Sequence, residues 1–83
     1  MKATERLKRT ILEVVDAQIR ERNPPETKET FDRLVGEGVE RDEARRLIGC
    51  VVAVEIFDVL KSMQPFDADR YVKALSKLPE LPE

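Results

Sequence analysis

The chain has no histidine and no tryptophan, and it carries one cysteine, one tyrosine and three glycines. Each shortage closes a class of explanation. A lone thiol, Cys50, excludes an internal disulfide, and without any imidazole it leaves no all-protein zinc site. Cys50 also lacks a histidine to activate it and stands in an apolar stretch, so it reads as a core side chain and not as a nucleophile. There is no glycine-rich phosphate loop: Gly36 and Gly38 fall at the end of a helical pattern, the wrong end for an anion. The longest apolar run, "LIGCVVAV", is far short of the about 20 residues that span a bilayer. The start, "MKATERLKRTILEVV", is broken by Glu5, Lys8, Arg9 and Glu13 and has no apolar leader core. A cytoplasmic protein is expected.

Neither charge sign dominates. Fifteen basic and 17 acidic groups give a net charge of −2, which favours neither a nucleic-acid nor a membrane-surface partner. With 83 residues the chain makes a single domain, at a size where folding buries only about 60% of the unfolded surface. Added stability has to come from good helix packing or from oligomerisation.

What is present is helical periodicity. Leu7, Ile11, Val14, Val15 and Ile19 recur at three- and four-residue intervals, with Leu12 at the edge, and predict a helix over residues 4–22. Glu5 with Arg9 and Asp16 with Arg20 form i,i+4 pairs on its opposite side, and Gln18 falls within the apolar face. "NPPE" then punctuates the chain. Asn23 stops the first helix and serves as cap to the second, Pro24 and Pro25 fit its first turn, and Glu26 completes a capping box. The second helix, to about residue 37, buries Thr27, Thr30, Phe31, Leu34 and Val35. Gly38 is the left-handed residue that ends it.

A long third helix is predicted over residues 41–63, stopped by Pro65. Phe66 and Asp67 read as staple and cap of a fourth helix, 68–78, burying Tyr71, Val72, Leu75 and Leu78. Residues 79–83 form an extended, proline-containing tail beyond the domain of residues 1–78. The fold class is therefore all-α, a four-helix domain with a long, centrally buried third helix.

On a helical wheel the third helix has no polar side. Leu47, Ile48, Cys50, Val51, Val52, Val54, Ile56, Phe57, Val59 and Leu60 point in every direction, the pattern of a helix buried all round. Three short helices cover such an element with difficulty, and the surplus points to a homodimer or another protein partner, with Val52, Ile56, Phe57 and Leu60 as interface candidates. Within this run Glu55 lies between Ile48, Val51 and Val59, while Asp58 lies between Leu47 and Val51. A carboxylate buried there needs a partner. Gln18 of the first helix is the preferred one, ahead of a second subunit or an ion; an arginine also satisfies the requirement. Glu55, Gln18 and Asp58 are thus the buried polar candidates.

Two other functions compete with self-association. "EVVD" at Glu13 and Asp16 and "EIFD" at Glu55 and Asp58 share a spacing used by carboxylate metal sites in helical bundles. The wheel of the first helix turns Glu13 and Asp16 to solvent, which separates the two pairs. A helix-turn-helix reading would use Arg41, Arg45 and Arg46 on DNA, but Glu37, Glu40, Asp42 and Glu43 surround them and repel phosphate. No catalytic set and no cofactor is expected.

Two resemblances attach to these motifs. "RLVGEGVERDEARRLI" is similar over sixteen residues to the helix-loop-helix of ubiquitin-associated-type domains, with Gly38, Val39 and Ala44 in the turn and at the following helix start. From Gln18 to Leu75 the order "NPPE", "TFDRLVGEGV", "EARRLI", "AVEI" and "PFD..RY..AL" resembles a family of small bacterial helical proteins. That resemblance implies an all-α fold and no particular activity. Its relatives carry histidines on the first and third helices, where this chain has none. The reading that results is a small, non-enzymatic structural or protein-interaction module that self-associates through its third helix.

Overall fold

The computed structural model describes residues 2–81. Four helices follow in order: α1 (Lys2–Glu21), α2 (Pro25–Gly36), α3 (Arg41–Ser62) and α4 (Ala68–Lys77). The predicted all-α class and the four elements are observed, with ends displaced by one or two residues. At 22 residues α3 is the longest, roughly 33 Å at 1.5 Å per residue, and it packs against each of the other three. Helices α1 and α4 each also pack against α2.

The helix ends show how the sequence stops and restarts the chain. Gly38 has φ 96°, the left-handed conformation expected after the C-cap, and the Val39 amide donates to the Leu34 carbonyl across it. Asp67 accepts from the Arg70 amide at 3.1 Å, while the Phe66 ring leans on Tyr71 with centroids 5.8 Å apart. The cap and staple thus form as predicted. At the far end of α4, Arg33 donates to the Leu75 carbonyl at 3.1 Å, which also accepts from the Leu78 amide, and so ties α2 to the last turn of α4. The start of α2 differs from expectation. Pro24, not Asn23, occupies the cap position, and no side chain caps it, because Asn23 lies one residue too early to reach the free amides.

The core is built from Val15 of α1, Phe31 and Leu34 of α2, Ala44, Leu47, Ile48, Val51 and Val52 of α3, and Tyr71, Leu75 and Leu78 around α4. Burying any one of the large aliphatic members contributes about 1.5–3 kcal/mol. Gly49 lets α1 cross closely: a β-carbon there would lie 3.4 Å from Ile11.

Several expected core positions are displaced. Leu7 is 50% exposed and Val14 also faces outward, since α1 turns the narrower stripe of Ile11, Val15 and Ile19 to its neighbours. Cys50 and Val72 are half-buried. The predicted Glu5–Arg9 and Asp16–Arg20 pairs do not form; Asp16 instead takes two 2.7 Å hydrogen bonds from Arg45 of α3, a better bidentate geometry than its own helix offers. The carboxylate raises the pKa of Arg45. Helix α3 is not buried all round. Its far half leaves Val54, Ile56, Phe57 and Leu60 exposed, because α1 crosses nearer its start and α4 covers one side only. Leu81 of the tail is exposed, and the end of the predicted tail, residues 82 and 83, lies outside the described residues.

Gly36 and Gly38 separate two meanings of glycine. Gly36 sits in the last turn of α2 with open space around it, so Gly36→Ala is expected to stabilise the protein by about 0.5–1 kcal/mol. Gly38→Ala places a side chain at positive φ and is expected to destabilise by about 1–2 kcal/mol. Urea denaturation of the two variants beside the parent protein measures both.

Candidate functional site

The polar groups singled out in the sequence gather where α4 meets α1 and α3, but in other pairs than predicted. Gln18 does not bind Glu55. Its Oε1 accepts from Thr27 of α2 at 2.8 Å and from the Tyr71 hydroxyl of α4 at 3.0 Å, and the two hydroxyl oxygens are 2.9 Å apart. Thr27 and Tyr71 are buried, so this node joins three helices inside the core. Two hydroxyl hydrogens serve three contacts, so only two contacts carry a hydrogen at a time. The sequence signal for this node was the apolar setting of Gln18 and Thr27; Tyr71 came from the far end of the chain and left no local trace.

Glu55, 5% exposed, is the buried carboxylate expected from the sequence. Its partner is Arg70, the third residue of α4, whose Nε lies 3.2 Å from both carboxylate oxygens. Arg70 is placed there by the Asp67 cap, which fixes the start of α4. The same guanidinium reaches Asp58 through Nη2 at 3.3 Å. Asp58 is half-exposed, not buried as predicted: on the wheel it turns past the edge that α4 covers. Hydrogen bonding to Glu55 raises the pKa of Arg70, with Asp58 and Asp67 adding to it.

Three of these groups line a groove of about 380 Å³ between α1 and α3. Gln18, Glu55 and Tyr71 contribute the polar atoms, and Val14, Ile56, Leu60 and Phe66 are among its apolar walls. Such a mixture, mostly apolar with a few convergent polar groups, is what small-molecule sites present. Of the four interface candidates, Ile56, Phe57 and Leu60 are exposed, while Val52 is 6% exposed and packs within the subunit. Val52 also lines the groove from its inner side.

The other constellations are distributed differently. Asp16 is bound to Arg45, and Glu55 and Asp58 to Arg70, so the two carboxylate pairs belong to separate ion pairs. Among the described residues no three acidic or cysteine side chains are grouped to hold a metal ion. At the start of α3, Arg41 lies 5.0 Å above the Phe31 ring, Arg45 also contacts Asp42, and Arg46 binds Glu43 through two bonds of 2.7 and 2.6 Å. Arg46 thereby lowers the pKa of Glu43. Among the described residues no helix is long and apolar enough to cross a membrane. Comparison with protein-family models, with curated proteins and with solved structures finds no match.

Two expectations test this site. Burial raises the Tyr71 phenol above its ordinary value of 10.0, with Thr27 drawing it back and the charges of Glu26 and Glu55 adding to the rise. The stability held by the neutral phenol is complete below the unfolded pKa and is lost as pH rises through the folded one. Melting temperatures between about pH 9 and 12 should therefore fall more steeply for the parent than for Tyr71→Phe, and ultraviolet titration of this single tyrosine should show late ionisation. Separately, Arg70→Ala leaves Glu55 charged and uncompensated and is expected to cost about 1–2 kcal/mol, discounted because Arg70 is half-exposed. Adding Glu55→Gln to Arg70→Ala should restore part of that loss in denaturant melts.

Proposed function

We propose that the protein is a non-enzymatic interaction module whose partner is a second copy of itself, docked on the outer face of α3 and the adjoining side of α1. One observation carries the reading: the far half of α3 and the loop after it expose Ile56, Phe57, Leu60, Met63 and Phe66, with Phe57 60%, Leu60 67% and Met63 84% accessible. Phe57 and Leu60 are three apart, and Ile56 and Leu60 four apart, so they share one side of the helix. Val14 joins this side across the groove, and Leu7 borders a second hollow that Ala53 also lines. Scattered exposed apolar residues need no explanation; a run of large ones along two neighbouring helices marks an interaction surface.

A second copy suits this face because the same helices on both partners present matching apolar rows, as a two-fold interface requires. Few charges interrupt the centre. Lys61 and Asp58 both lie on the Phe57 side of the Phe57–Leu60 row, where they would form a polar edge. An unrelated protein partner would bury the same residues, and oligomeric state separates the two.

Sedimentation equilibrium is expected to give a dimer at micromolar concentration. Leu60→Lys, at an exposed position that leaves the core intact, should shift the protein to monomer while changing the stability of the isolated subunit by no more than about 0.5 kcal/mol. A parent protein that sediments as a monomer at high micromolar concentration overturns this reading.

A further inference from the structure

Glu55 is the one charged residue that lines the groove, and the groups behind it carry more negative charge than their shared partner neutralises. Glu55 and Asp58 share a single guanidinium, that of Arg70, and Asp67 is the next carboxylate acting on it. Glu26 and Glu55 both bear on the adjacent Tyr71. No second lysine or arginine bonds to Glu55 or Asp58 among the described residues.

The Glu55–Arg70 contact is also geometrically thin. One N–H is shared between both oxygens at 3.2 Å, whereas Arg45 gives Asp16 two separate bonds of 2.7 Å. Charge-assisted bonds of this type usually run about 2.7–2.9 Å, and a carboxylate has about four acceptor sites. A carboxylate 5% exposed is thus left with unused acceptor capacity at the bottom of an apolar groove.

We infer that this groove binds a small apolar molecule bearing a protonated amine. The hydrocarbon part lies along Val14, Ile56, Leu60 and Phe66, and the ammonium donates to Glu55. Arg70, half-exposed, retains Asp58 as a counter-ion if the arriving cation takes its place on Glu55. A carboxylate or phosphate head group would meet the Glu55 carboxylate, with Asp58 behind it, and is disfavoured. The volume, about 380 Å³, falls in the lower part of the range of about 300–1,000 Å³ found for small-ligand pockets. This inference rests on the charge balance around Glu55 and is independent of the self-association proposed above, although Ile56 and Leu60 serve in both.

The test uses three probes with one hydrocarbon body: octylamine, octanol and octanoate. Tyr71 lines the groove and is the single tyrosine in a chain without tryptophan, so its fluorescence reports occupancy, and backbone amide shifts locate it. Octylamine is expected to bind at least about tenfold more tightly than octanoate, with octanol between. Glu55→Gln should bring octylamine to the level of octanol, its fold being checked by circular dichroism. Ile56→Trp, at an exposed position on the wall, should block all three while leaving the fold intact. Equal binding of the three probes, unchanged preference in Glu55→Gln, or no binding at millimolar concentration overturns the proposal. Sedimentation of the same samples keeps the two readings apart: a dimer that takes up no octylamine loses the ligand site and keeps the dimer, whereas a monomer that binds it retains the ligand site and loses the dimer.

Discussion

Helix α3 carries apolar side chains around its whole circumference, and this one constraint governs how the other helices are used. An ordinary amphipathic helix has its rotation about its own axis fixed by hydrophobicity, since only one setting hides the apolar stripe. That restriction is weak here, because many rotations of α3 would bury comparable apolar area. The settings that distinguish one rotation from another are local. Gly49 lies against Ile11 of α1, leaving room for only a small side chain; Arg45 has to meet Asp16; and Glu55 has to reach Arg70. Polar pairs contribute little net stability in many proteins, yet they are well suited to choosing among packings of similar energy.

The sequence disclosed those parts of the fold that depend on neighbours along the chain. Gly38 after α2, and Phe66 with Asp67 before α4, act through residues within a few positions, and their geometry is as read. Thr27, Thr30, Phe31 and Leu34 follow one helical face and are buried accordingly. The side of α1 was harder. Leu7, Ile11, Val14, Val15 and Ile19 form a wide stripe, of which only the part turned towards α2 and α3 is covered, and no local rule tells Val15 from Val14. Periodicity gives the existence of a face but not the width that its neighbours will occupy.

Partners distant in sequence were legible only as needs. Glu55 and Gln18 each stood out as polar groups in apolar surroundings, and each is satisfied, but by Arg70 and by Thr27 with Tyr71. Arg70 could be found only after recognising that the Asp67 cap aims the first turn of α4 back at the third helix. The same turn explains the difference between Glu55 and Asp58: three residues apart on one helix, they share a guanidinium, and only the first falls beneath α4. Exposure along the outer half of α3 follows from length, since α4 has 10 residues against 22.

The node of Gln18, Thr27 and Tyr71 has a property that its distances do not advertise. Three oxygen contacts share two hydroxyl hydrogens, so more than one placement of the protons satisfies the same heavy-atom positions. In this the centre of the molecule resembles ice, where fixed oxygens permit many proton arrangements. Three helices are therefore joined by a connection that is fixed in its heavy atoms and open in the placement of its hydrogens, so holding these hydroxyls in the core costs less entropy than a single proton arrangement would.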